Sequence, residues 1–152
     1  MNGFVMGRKG TNIFWQPSSM NMGATPDGKT LVGYYSTANS TGGYGTGAVT
    51  HGYVLDDGYF LPFDVPNSKE TQAMDINFEH IVTGVYTDLA GKTHGFVVDT
   101  NERVVGYWQF TTIDYPGATL TRVFGMNDSG DIVGNYVDAS GKTHGFIATL
   151  DN

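Results

Sequence analysis

Cysteine is absent from this 152-residue chain, which excludes disulfides and thiolate metal sites and leaves the compartment open. Basic residues are few: 8 Lys and Arg stand against 15 Asp and Glu, giving a net charge of −7, and the basic residues are scattered. Phosphate binding needs a positive patch, so nucleic acid is not an expected partner. Apolar runs reach only a few residues before glycine or a polar residue interrupts them, too short for a membrane span. A 3.6-residue apolar period is also missing, and only Ser68 to Met74 would make about one or two helical turns. Met1-Asn2-Gly3-Phe4 shows no basic-then-apolar export signal and reads instead as the tail of a repeated motif.

Glycine and aromatics are what the chain has: 22 Gly, 9 Tyr and 9 Phe. That composition predicts short strands and tight turns, hence an all-β fold, and the length suits a single domain over residues 1–152. Three segments nearly repeat one another: Thr30-Leu31-Val32-Gly33-Tyr34-Tyr35, Ile81-Val82-Thr83-Gly84-Val85-Tyr86 and Asp131-Ile132-Val133-Gly134-Asn135-Tyr136. Each is followed by His51-Gly52-Tyr53, His94-Gly95-Phe96 or His144-Gly145-Phe146. Pro66 matches Pro116, Asn77 matches Asn127 and Gly84 matches Gly134, so the repeat is about 50 residues long. The copies run over about 30–79, 80–129 and an incomplete 130–152, behind a partial copy over 1–29. A Gly/Ser/Thr-rich insertion, Asn39 to Val49, enlarges the first copy, and a second insertion lies around Asn101 to Gln109. Each copy predicts four strands.

Turn chemistry fixes the central hairpin. Asp88-Leu89-Ala90-Gly91-Lys92 and Asp138-Ala139-Ser140-Gly141-Lys142 fit a type I turn followed by a left-handed glycine, pairing Asp88 with Lys92 and Asp138 with Lys142. Counting back, Tyr86 faces His94 and Gly84 faces Phe96, and the last copy pairs likewise. An aromatic ring over a cross-strand glycine covers backbone and pins register. In the second hairpin strand both alternating faces are small or apolar, so both should be covered by other sheets. Stacked sheets follow, and the architecture expected is a small or incomplete β-propeller-like array; a β-trefoil is the alternative. His-Gly-Phe-type strands outnumber the other types by one, so the terminal segments should close on each other or pair with another chain as a homo-oligomer.

The series Met126-Asn127-Asp128-Ser129-Gly130-Asp131-Ile132-Val133-Gly134, then Asp138, Gly141 and His144-Gly145-Phe146, resembles the HAF-type repeats of bacterial proteins. The resemblance covers the whole chain and is clearest in the last copy; Asn2 replaces the histidine, and Asn77-Phe78-Glu79-His80 loses the Asp-x-Gly turn. It implies a propeller-like repeat architecture and a secreted or cell-surface location, and it implies no activity and no functional residues.

Candidate sites are sparse. His51, His94 and His144 are repeat-equivalent, and a pseudo-threefold arrangement would gather them into a His₃ metal site. The simpler reading has each histidine stack on its own cross-strand tyrosine, Tyr35, Tyr86 or Tyr136. Asn127 to Asp131 is rich in oxygen but lacks calcium-loop spacing, and it reads as a turn. Gly42-Gly43-Tyr44-Gly45-Thr46-Gly47 lacks the context of a phosphate loop. Trp15, Tyr44, Tyr59, Tyr107 and Trp108 lie in or beside loops, where their rings would offer a platform to a ligand or else fill the core. No nucleophile elbow, His-Glu-x-x-His pattern or thiol is present, and Asp27, Asp56, Asp57, Asp88 and Asp138 read as turn caps. No cofactor is called for. The function expected is a non-enzymatic interaction module whose loops bind a protein or surface ligand. A carbohydrate-binding module using the loop aromatics is the alternative, and a glycoside hydrolase with dispersed carboxylates the third reading.

Overall fold

A computed structural model of the chain describes residues 4–7, 10–13, 19–37 and 49–150. It is all-β, and every strand pairing in it is antiparallel. Strands β1 (Phe4–Gly7) and β2 (Gly10–Ile13) form a hairpin. The first of three meander sheets holds β3 (Ser19–Ala24), β4 (Thr30–Ser36), β5 (Thr50–Asp56) and β6 (Tyr59–Phe63) in sequence order. The second holds β7 (Ser68–Ile76), β8 (Ile81–Asp88), β9 (Thr93–Asp99) and β10 (Phe110–Ile113). The third holds β11 (Leu120–Met126), β12 (Asp131–Val137) and β13 (Thr143–Thr149). Each sheet therefore opens one strand before the Val-Gly-x-Tyr segment that opens the sequence period.

Ser68 to Met74 is strand, not helix, and a β-bulge explains why its pattern misleads. Thr71, Ala73 and Ile76 are all buried, and the register of β7 on β8 shifts between Ala73 and Asp75. The extra residue turns an alternating pattern into one with a helical step of three. The bulge recurs at Asn21/Gly23 in the first sheet and at Val123/Gly125 in the third.

The hairpin register is as the turns predict. Tyr86 pairs with His94 and Gly84 with Phe96; Tyr136 pairs with His144 and Gly134 with Phe146. Gly91 and Gly141 take φ of 91° and 83°, and the Asp88 and Asp138 amides donate to the Lys92 and Lys142 carbonyls at 2.9 Å. A methyl group on Gly84 would lie 2.7 Å from the Phe96 ring, and one on Gly134 would lie 2.8 Å from Phe146. Those glycines admit an aromatic ring to the backbone, and a Cβ would expel it.

The sheets stack through their first strands. β7 lies across β3, β4 and β5, and β11 lies across β7, β8 and β9. Between the first two sheets sit Val32, Val54 and Phe63 from one side and Ala73, Ile76, Val82, Phe96 and Val98 from the other, all buried. Polar groups tie equivalent positions of neighbouring sheets. The Met126 amide donates to Asp75 Oδ2 at 3.0 Å, and the Phe78 amide donates to Asp128 Oδ1 at 2.8 Å. In β9 both faces are covered, as expected from its two apolar sides: Phe96, Val97 and Val98 are all buried. In β13 they are not, since Ile147, the counterpart of Val97, is 77% exposed.

Candidate functional site

Each of the three histidines is held inside its own hairpin. His94 stacks on Tyr86 with ring centroids 5.0 Å apart and planes at 22°, and His144 stacks on Tyr136 at 5.0 Å and 24°. His51 and Tyr35 lie 5.3 Å apart, tilted by 34°. Their ring nitrogens meet carboxylates or a hydroxyl. His94 Nδ1 lies 2.8 Å from Asp114 Oδ1 and Nε2 lies 3.1 Å from Asp88 Oδ2. His51 Nδ1 lies 2.9 Å from Asp64, and Thr37 stands at its Nε2 where Asp88 stands in the second sheet. His144 Nε2 lies 2.7 Å from Asp138 Oδ2.

The turn carboxylates carry electrostatic consequences. The Lys92 backbone N–H, followed by His94, holds Asp88 below the usual carboxylate range. The Ser140 hydroxyl, followed by His144 and the Lys142 amide, lowers Asp138 in the same way. Beside them the Tyr136 phenol is pushed up, first by its bond to Tyr115, whose ring stacks on it with centroids 3.7 Å apart.

The histidines stand in three separate sheets and are not gathered. Among the described residues no three His, Asp or Glu side chains are placed to hold a metal ion. The imidazoles instead bond within their own sheets: His94 ties turn Asp88 to Asp114 after the fourth strand, His51 ties Thr37 to Asp64, and His144 bonds turn Asp138.

The loop aromatics divide. Trp108 is a core residue rather than a platform: it is only 6% exposed, its ring lies 5.3 Å from Phe63, and its Nε1 donates to the Glu102 carbonyl at 2.6 Å. This bond closes the Asn101 to Gln109 insertion on itself. A 3-10 turn at Val105–Tyr107 follows, and it leaves Tyr107 71% exposed, with Val104 also outward. Tyr59, at the start of β6, is 60% exposed. Trp15 and Tyr44, and the insertion from Asn39 up to residue 48, fall outside the described residues.

Arg103 sets the Asn101 to Gln109 insertion, which also carries exposed Tyr107, against Tyr59 of the first sheet, and sequence reasoning passed over it. Its guanidinium carbon sits 4.8 Å from the Tyr59 ring centre, and its Nε lies 2.5 Å from Asp56 Oδ2. Asp56 is correspondingly a strand-end residue, also accepting from Thr30 Oγ1 at 2.8 Å, and not a turn cap. A lone arginine inside an insertion of an acidic chain was the available signal. A loop fixed by a buried indole thus presents Tyr107, Val104 and Arg103, the last set against Tyr59 and Asp56 of the first sheet.

A second concavity, of about 550 Å³, opens between the second and third sheets and is lined in part by Glu79, Asp99, Asp128, Met126 and Leu150. Asp99 accepts from the Asn101 amide and Asp128 from the Phe78 amide, so both act as backbone caps there.

Comparison with protein-family models, with curated proteins and with solved structures gives no match.

Proposed function

We propose that this chain is a non-enzymatic β-repeat interaction module, a propeller-like stack of a secreted or cell-surface protein, that binds a protein or surface ligand through the patch of Tyr59, Arg103, Val104 and Tyr107. One observation carries the reading: a loop clamped by buried Trp108 holds the exposed Tyr107 ring outward and sets Arg103 over the exposed Tyr59 ring. Tyrosine and arginine supply large contact area at low entropic cost, and anchoring the loop beforehand removes part of the ordering cost of binding. The repeat resemblance of the sequence and the linked positions Phe78 and Asp128, 50 residues apart, support the stack. The engagement of histidine nitrogens and turn carboxylates in hairpin bonds supports a structural role for the groups that would otherwise do chemistry.

Carbohydrate is the second reading, favoured by the exposed Tyr107 ring, but burial of Trp108 removes the largest stacking surface. The test is retention of the labelled wild-type chain on a glycan array and on bacterial and host cell surfaces, against the double variant Tyr59→Ser/Tyr107→Ser. The module reading expects saturable retention on cell surfaces that the double variant loses. Equal retention of both forms, or turnover of a glycoside panel by the wild type, overturns it.

A further inference from the structure

Position 122 departs from the repeat. Met20, Gln72 and Arg122 are equivalent residues of the first strands β3, β7 and β11, each following a buried hydroxyl, Ser19, Thr71 or Thr121. In the first two sheets a hydrogen bond closes the position: the Tyr34 hydroxyl donates to Met20 Sδ at 3.2 Å, and Gln72 Nε2 donates to Thr50 Oγ1 at 3.4 Å. Thr93, the counterpart of Thr50, lines together with Arg122 a cleft of about 210 Å³ between the second and third sheets. Glu70, Gln72, Val85 and Thr87 line it too. Glu70 pairs across strands with Thr87, and Thr87 with Thr93, so a carboxylate and two hydroxyls lie in one row over β7, β8 and β9. Among the described residues, no side chain hydrogen-bonds to or ion-pairs with the side chain of Arg122 or of Glu70, although both residues are half-buried.

We propose that this cleft binds a small α-amino acid as its zwitterion, the carboxylate on Arg122 and the ammonium on Glu70. Both charges of the cleft argue for it. An anion alone would meet the Glu70 carboxylate on a chain of net charge −7, and a cation alone would meet the guanidinium. A zwitterion answers both and adds no net charge. Guanidinium is a two-pronged donor matched to a carboxylate, and an ammonium has three protons to place. Glu70 and the hydroxyls of Thr87 and Thr93 can accept them, as can Gln72 Oε1, since the amide's Nε2 is engaged by Thr50. Size and lining restrict the ligand further. The volume falls below the roughly 300–1,000 Å³ of pockets for drug-sized ligands. Val85 is the one aliphatic side chain at the cleft, which suits an amino acid with little apolar surface. Tyr86 borders the cleft, but its ring is stacked on His94, which leaves no aromatic platform for a sugar. The cleft shares no residue with the tyrosine patch, and its test does not depend on that patch's ligand.

Isothermal titration calorimetry of the whole chain with glycine, L-alanine, L-leucine, acetate, methylamine and galacturonate tests it. Glycine and L-alanine are expected to bind saturably with a Kd of about 1 mM or tighter, and the other four probes at least about 10-fold more weakly. Arg122→Gln, which installs the residue of the preceding repeat, and Glu70→Gln should each weaken glycine binding by about 10-fold or more. Near-UV circular dichroism shows that each variant keeps its fold. The comparison of glycine with acetate and methylamine needs no variant, so it decides the matter even if a substitution disturbs folding. A wild type that binds neither glycine nor L-alanine, acetate or galacturonate binding as tightly as glycine, or a glycine affinity unchanged in either folded variant overturns the proposal.

Discussion

The second and third sheets carry nearly the same words and live in different surroundings. Both build the same hairpin, with tyrosine on histidine, an aromatic ring on glycine and an aspartate turn closed by lysine. Yet Phe96 is fully buried where Phe146 is half-buried, and His94 bonds two aspartates where His144 bonds one. The hairpin is thus a local product of turn residues and cross-strand pairs, while burial is set by what lies across the sheet. One sequence motif yields a core in one place and a surface in another.

Matched substitutions sharpen that contrast. The largest divergence is expected at Val97 and Ile147. Val97→Asp strands a charge between sheets and should abolish cooperative folding, whereas Ile147→Asp, on an exposed position, should stay within about 0.5 kcal/mol of wild type in urea unfolding. Phe96→Ala comes next, with a loss of about 3–5 kcal/mol; Phe146→Ala should cost about half as much, since its ring is only partly enclosed. Gly95→Ala should cost about 1–3 kcal/mol because Val123 must move, and Gly145→Ala should lie within about 0.5 kcal/mol of wild type.

The smallest effect is in pH dependence. Asp88 and Asp138 have folded pKa values below their unfolded ones, so each stabilises the fold above the unfolded carboxylate value, about pH 4, and loses that contribution as pH falls through the folded value. Asp88→Asn and Asp138→Asn should therefore lower Tm at pH 7, with the gap to wild type shrinking in acid. A gap that persists undiminished at the lowest pH assigns the effect to geometry rather than charge.

The legibility of this chain follows the same division. Turn glycines, the Gly84–Phe96 pairing and the Tyr86–His94 stack are readable because they depend on neighbours no more than twelve residues away. The strand at Ser68 was misread because a bulge hides its alternation. For Trp108 the sequence leaves both platform and core open, and only tertiary packing on Phe63 shows that it anchors the insertion. Arg103 was invisible as part of a site, since its partners Asp56 and Tyr59 come from another sheet. The exposure of Ile147 could not be foreseen, because the residue type that is core in two sheets is surface in the third.

Amide hydrogen exchange on β9 and β13 tests the central claim, that like hairpins differ in their surroundings: among the described residues β9 is covered on both faces and paired on both edges, β13 open on one face and one edge. The account predicts slow exchange along β9 and exchange many-fold faster along β13. Equal protection of the two strands would contradict it.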